Sequence, residues 1–323
     1  MKILLTTNLP KIGFTEMQGI ADVVMPEKHK FTPEELTKEI TDADFLISTF
    51  DYKVPESMME AGKKLKAIIN FGVGFNNVDV AAATKRGLPV TNTPIPVIEP
   101  TAEHAFTLML AVSHRIAELD RKLRMPDNDI EFGVMMNLGV AIYGKTLGII
   151  GMGNIGKAVA RRARACGMNI LYNKRHPLTA EEEKEYGATY ATVDEILRNS
   201  DYVSLHCPYT PETHHIMNEE AFAKMKDGAI LINTARGACV DEAALVKALQ
   251  SKKLFGAGLD VYEFEPKITE ELLHLDNVVL SPHIGTGTID ARIEMCHNCC
   301  RNILYFQKGQ LEKMDIVNKQ IIK

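Results

Sequence analysis

The stretch Lys145-Thr146-Leu147-Gly148-Ile149-Ile150-Gly151-Met152-Gly153-Asn154-Ile155-Gly156 decides the fold. It begins as a short apolar run, turns through spaced glycines and leads into an Ala- and Arg-rich segment of helical composition. A buried parallel strand, a tight turn and a helix N-terminus have this order. Gly151 permits the turn, Gly153 lets backbone approach a pyrophosphate, and Gly156 lets the helix pack closely on the strand. The helix N-terminus then presents unpaired N–H groups and partial positive charge to phosphate.

Working outward, short apolar runs alternate with helix-like segments, the signature of βα units. Before the glycine motif the runs are Ile3–Thr7, Phe45–Phe50, Ala67–Phe71 and Pro89–Asn92, with helices expected at Pro33–Ile40 and Val78–Arg86. A long helix is expected over Thr101–Arg124, and an exposed excursion over Met125–Glu131. From the motif onward the strands are Thr146–Ile150, Asn169–Asn173, Tyr202–Cys207, Ala229–Asn233, Phe255–Val261 and Val278–Ser281, followed by a helix near Thr288–Gln307. The fold class is α/β, with two doubly wound parallel-sheet domains.

The bulk properties agree. With 323 residues, 46% apolar and 24% charged, the chain has ordinary globular composition and length for two domains. A net charge of −5 argues against nucleic acid, which requires a basic surface. No apolar run is long enough to span a bilayer, so no membrane partner is expected. The start Met1–Leu5 is basic then apolar, but Thr6, Thr7 and Asn8 interrupt it, so it reads as a strand and not a leader. Six scattered cysteines suit reduced thiols and the cytoplasm.

About 20 residues after the motif, the second strand of such a sheet ends with an acid on the ribose of NAD. Here it ends Tyr172-Asn173-Lys174-Arg175-His176. An amide replaces the carboxylate, and cations follow. A guanidinium pairs bidentately with a 2′-phosphate, so NADP(H) is favoured, with Arg175 as the main ligand and Asn173 and Lys174 beside it. NAD(H), with the cations as a solvated turn, is the alternative.

Three later segments each end an expected strand. They are Asn233-Thr234-Ala235-Arg236-Gly237, Gly258–Pro266 and Ser281-Pro282-His283-Ile284-Gly285. The C-terminal edge is where doubly wound sheets bind ligands. An always-charged planar Arg suits a carboxylate. A His titrating near neutrality suits proton transfer, and an acidic neighbour favours its protonated form.

With these motifs in order, the chain resembles the D-isomer-specific 2-hydroxyacid dehydrogenase family. The resemblance also covers Gly72–Asp79, Val90-Thr91-Asn92-Thr93-Pro94, Gly144–Gly148 and His206–Thr213. It implies that Arg236 holds a substrate carboxylate, His283 moves the proton and Glu265 is its partner. Val73 and Gly74 would offer backbone N–H groups to the acid. Asn154, Ile155, Cys207, Pro208, Thr213, Thr234, Ala235, Asp260, His283 and Gly285 would line the cofactor site, with Asp260 near the carboxamide; a turn or capping role for Asp260 stays open. The resemblance further implies a substrate domain of residues 1–98 plus 288–323, a cofactor domain of 99–287, an active-site cleft between them, and a homodimer supported by Thr101–Tyr143. The implied activity is reduction of a small 2-keto acid, glyoxylate or hydroxypyruvate in kind. D-lactate and phosphoglycerate types are alternatives, and a nucleotide-sensing corepressor-like protein is an alternative of another class.

The chain departs from the family pattern in lacking tryptophan, which relatives often carry in the stretch matching Met125–Asn137. Cys296-His297-Asn298-Cys299-Cys300 lies in an expected helix with no second ligand pair, so it reads as packing and no metal is expected. His214-His215 reads as an exposed loop pair.

Overall fold

The computed structural model describes residues 1–322, and the chain divides into two compact units, Met1–Val97 with Thr286–Lys323 and Ile98–Gly285. In the first, β1 (Lys2–Leu5), β2 (Asp22–Val24), β3 (Phe45–Thr49), β4 (Ala67–Phe71) and β5 (Val90–Thr91) form a parallel sheet in the order β2-β1-β3-β4-β5. Sequence alternation with period two explains how both faces are filled. Ile3, Leu5, Phe45, Ile47, Ala67 and Ile69 pack to one side, where the helix Ile289–Gln307 lays Cys296, Cys299 and Cys300 into the core. Leu4, Leu46 and Ile68 pack to the other. The cysteines of that helix are thus fully buried packing residues.

The second unit holds β6 (Thr146–Ile150), β7 (Asn169–Asn173), β8 (Ala188–Tyr190), β9 (Tyr202–Leu205), β10 (Ala229–Asn233), β11 (Leu254–Leu259) and β12 (Val278–Leu280). All pair in parallel in the order β12-β11-β10-β9-β6-β7-β8. Strand order reverses beside β6, which places the glycine motif at the switch point of a doubly wound sheet. Leu147, Ile149, Ile230 and Ile232 face one side, while Ile150, Val203, Leu205 and Leu231 face the other. On the first side the helix Ile98–Ser113 lies close to β11, because β11 is Leu-Phe-Gly-Ala-Gly-Leu. A Cβ on Gly256 would stand 2.7 Å from Val112, and one on Gly258 2.9 Å from Leu108.

Three expectations are corrected. The sheet has seven strands, not six; β8 went unread because two of its three residues are exposed and no apolar run marks it. The equally short, polar-starting β2, with no fully buried residue, was also unread. The helix expected over Thr101–Arg124 is two helices, Ile98–Ser113 and Ile116–Leu123, separated at Arg115 with φ 56°. The Ser113 carbonyl accepts from Val140 N–H at 2.8 Å instead of from the next helical turn. Gly139 makes that approach possible, since a Cβ there would sit 2.2 Å from the same oxygen. Beyond the second helix, the segment through Tyr143 has no helix or strand and exposes Phe132 (91%), Val134 (94%) and Tyr143 (80%).

Candidate active site

The glycine loop has the geometry its sequence requires. Gly151 adopts φ 105° and abuts the start of the next loop, where a Cβ would meet Cys207 N at 2.4 Å. Gly153 caps the helix Asn154–Ala165, and a Cβ there would touch nothing within 4 Å. A Cβ on Gly156 would lie 2.4 Å from Gly151 O. No acidic residue occupies the first helical turn, so its positive end is uncompensated. The Asn173 carbonyl accepts from Gly151 and Met152 N–H, while its side-chain amide donates to Ala191 O at 2.9 Å. Arg175 is exposed and has no carboxylate within 4.0 Å among the described residues, and Lys174 is half-buried. Along the same edge, Thr213 Oγ1 ties the loop after β9 by donating to Pro208 O at 2.8 Å, Cys207 and Ala235 are buried, and the Thr234 hydroxyl is buried without a partner among the described residues. Uncrowded backbone at a helix N-terminus plus an unsatisfied buried hydroxyl fit a dinucleotide.

The loops after β10, β11 and β12 carry Arg236, Glu265 and His283. Asn233 shapes the first of them: its Oδ1 accepts from Ala235 N–H and its Nδ2 donates to Arg236 O, both at 3.0 Å. The half-buried Arg236 guanidinium donates to Ala235 O and has no carboxylate within 4.0 Å among the described residues. Burial pulls its pKa down, only partly offset by the charge of Glu265. His283 Nδ1 and Glu265 Oε2 stand 3.0 Å apart, with both side chains about a third exposed. Burial alone would push the Glu265 carboxyl up, but the His283 hydrogen bond, Tyr262 N–H and Arg236 outweigh it and hold it below the usual range.

Two buried carboxylates fasten these loops. Asp260 accepts from Ser281 Oγ (2.6 Å), Ile284 N–H (2.8 Å) and Gly285 N–H (2.8 Å). Its backbone carbonyl takes His283 N–H at 2.9 Å, and His283 itself is left-handed with φ 53°. Burial raises the Asp260 carboxyl, but these donors and His104 bring it below the ordinary value. Glu242, 2% exposed, accepts from Glu263 N–H at 2.8 Å and from the Thr269 hydroxyl. His215 is less exposed than its loop suggests and stands 2.7 Å from Glu263, with His214 stacked on it at 4.0 Å. Burial pushes His206 down to about 4, so it stays neutral beside Ser204. Asn233, Glu242 and Tyr262 carry no functional reading in sequence; only Asn233, adjacent to Thr234-Ala235-Arg236, had a local signal.

In the first unit, side-chain amides seize the carbonyls of one loop. Asn70 Nδ2 donates to Gly72 O (3.2 Å) and Gly74 O (2.8 Å), and Asn92 Nδ2 to Val73 O (2.8 Å). The N–H groups of Val73 and Gly74 donate to no described residue, while the carbonyls around them are taken up by the two amides. Among the described residues no cluster of His, Cys, Asp or Glu is arranged to hold a metal ion.

Residues 106–285 match the family described as D-isomer specific 2-hydroxyacid dehydrogenase, NAD binding domain. The chain belongs to that family. It is 41% identical to a glyoxylate reductase of Thermococcus onnurineus over 99% of this chain and 97% of the relative. Its fold matches the TT0316 protein of Thermus thermophilus (38% identity, TM-score 0.90, 98% of this chain and 100% of that one). It also matches the D-lactate dehydrogenase of Aquifex aeolicus complexed with NAD and lactic acid (31% identity, TM-score 0.83, 98% and 99%). This D-2-hydroxyacid dehydrogenase is therefore a nicotinamide-dependent oxidoreductase acting on CH–OH, with two Rossmann-like parallel-sheet units.

Proposed function

We propose that the chain reduces glyoxylate or hydroxypyruvate to the 2-hydroxy acid, with Arg236, Glu265 and His283 as its catalytic residues. The observation that carries this reading is the half-buried Arg236 guanidinium, lacking a carboxylate partner, on the sheet edge that also bears the His283–Glu265 pair. A half-buried cation with no carboxylate in contact gains from an anion, and a substrate carboxylate supplies that charge. A reduced nicotinamide, when bound, would be the source of the hydride for the carbonyl carbon. Glu265 engages His283 Nδ1, and His283 delivers a proton to the carbonyl oxygen and takes it back in oxidation. The glycine loop would hold the pyrophosphate, with Asn154, Ile155 and the Thr234 hydroxyl beside it. Asp260 would support this site mainly by holding Ile284 and Gly285. For Val73 and Gly74 of the first unit, N–H groups that donate to no described residue support a role as donors to an acid. We assign residues 1–98 with 288–323 to substrate binding and 99–287 to the cofactor.

NADP(H) is the preferred form in this reading. It is supported by the commitment of the Asn173 amide to Ala191 and by the exposed, carboxylate-free Arg175. The apolar exposed segment Phe132–Tyr143 supports a homodimer, and scattered thiols support the cytoplasm; no helix among the described residues is long and apolar enough to cross a membrane. The test is a panel of 2-keto acids assayed with NADPH and NADH at the nicotinamide absorbance. Turnover is expected to be fastest with glyoxylate or hydroxypyruvate and NADPH. Faster reduction of pyruvate would overturn the substrate assignment, and higher kcat/KM with NADH the cofactor preference.

A further inference from the structure

His104 is absorbed by none of the roles above, yet it touches the buried carboxylate behind the proposed proton donor. It lies on the helix Ile98–Ser113, with its side chain 17% exposed, and its Nε2 stands 2.8 Å from Ser281 Oγ and 3.2 Å from Asp260 Oδ1. Counting protons fixes the direction of this chain. Ser281 has one hydroxyl proton and spends it on Asp260 Oδ1 at 2.6 Å, since an ionised carboxylate can only accept. The Ser281 oxygen must then accept, so His104 Nε2 carries the proton and donates.

The result is a relay from His104 Nε2–H to Ser281 Oγ–H to Asp260 Oδ1. Its end point is the carboxylate that receives Ile284 and Gly285 N–H, and its middle member is two residues before His283. The loop Ser281–Gly285 is thereby held at both ends, with left-handed His283 between them. Such a conformation persists only where its surroundings over-determine it.

We propose that His104 is a positioning residue for proton transfer: by donating through Ser281 to Asp260 it fixes the loop that aims His283. This inference rests on the reading of His283 as the proton donor. It acts on orientation and not on binding, because His104 contacts neither Arg236 nor the glycine loop in any hydrogen bond or ion pair among the described residues.

The experiment uses the full chain with glyoxylate and NADPH or NADH, comparing His104→Phe, His104→Gln and His283→Ala. Phe fills the space without a donor, whereas Gln offers an amide N–H to Ser281. For His104→Phe, kcat is expected to fall on the order of tenfold or more, with KM for glyoxylate and Kd for the reduced nucleotide within about twofold. His104→Gln is expected to return kcat to within about threefold of the native value. If Phe proves insoluble, His104→Ala takes its place. Native kcat without the donor, a rise in KM or Kd with kcat unchanged, or equal damage by Gln would each overturn the proposal. An inactive His283→Ala beside fully active His104 variants rejects this inference alone. Turnover surviving in His283→Ala, or absent from the native chain, rejects the proposed function beneath it.

Discussion

Replacing Asp260 with Asn removes one charge from a site that receives hydrogen bonds at both oxygens. Oδ1 takes Ser281 Oγ and Ile284 N–H, and Oδ2 takes Gly285 N–H. An amide offers one oxygen, so in either rotamer its NH2 faces at least one of these N–H donors. The residue is 1% exposed, and water cannot repair the mismatch. A hydrogen bond to a charged group contributes about 1.5–3 kcal/mol, so one lost outright and the rest weakened gives about 3 kcal/mol. For a unit of this size each kcal/mol shifts Tm by about 2–4 °C, or roughly 6–12 °C in total. The sign of the pH dependence follows from the direction of the shift. The folded pKa of Asp260 is lowered, so its stabilisation is present above the unfolded value of about 3.9 and is lost as pH falls through the folded pKa. Calorimetry at pH 5 and pH 8 is therefore expected to show the variant less stable at both. A Tm within about 2 °C of native, or a deficit at pH 8 that disappears by pH 5, would refute the reasoning.

His283→Ala is expected to abolish keto-acid reduction while leaving nucleotide binding within about twofold, measured by quenching of reduced-nicotinamide fluorescence. Gly156→Ala places a methyl 2.4 Å from Gly151 O, and overpacking of this kind costs about 1–3 kcal/mol. Weaker nucleotide binding and a lower Tm are expected together. Arg175→Ala is expected to lower kcat/KM with NADPH about tenfold or more and to leave NADH nearly unchanged; equal losses with both would count against a 2′-phosphate contact.

What the sequence made legible is local. Apolar runs such as Ala67–Phe71 and Ala229–Asn233 match strands end to end because both faces are buried and every residue must be apolar or hydrogen-bonded. The glycine motif was legible for the same reason, each glycine answering a contact with nearby chain. The break after Ser113 was not, because it is set by Val140, 27 residues away, and local helix propensity runs straight through it. Asp260 stood out in the sequence only as a candidate, and its engagement with Ser281, Ile284 and Gly285 depends on two loops meeting. His104 gave no signal at all, since a lone histidine on a helix is indistinguishable from any other until its neighbour across the sheet edge is known.

The two glycines of β11 act as a depth stop. Val112, Leu108 and His104 follow one another at four-residue spacing on a single helical face, so the contacts at Gly256 and Gly258 lie about 12 and 6 Å from His104 along the axis. A helix is stiff over that length, and whatever lifts it at β11 also lifts it from Ser281 and Asp260. A methyl group added at Gly258 is thus transmitted as a change of gap where His104 reaches its hydroxyl. The seating of the loop proposed to donate the proton is machined in the sheet beneath it.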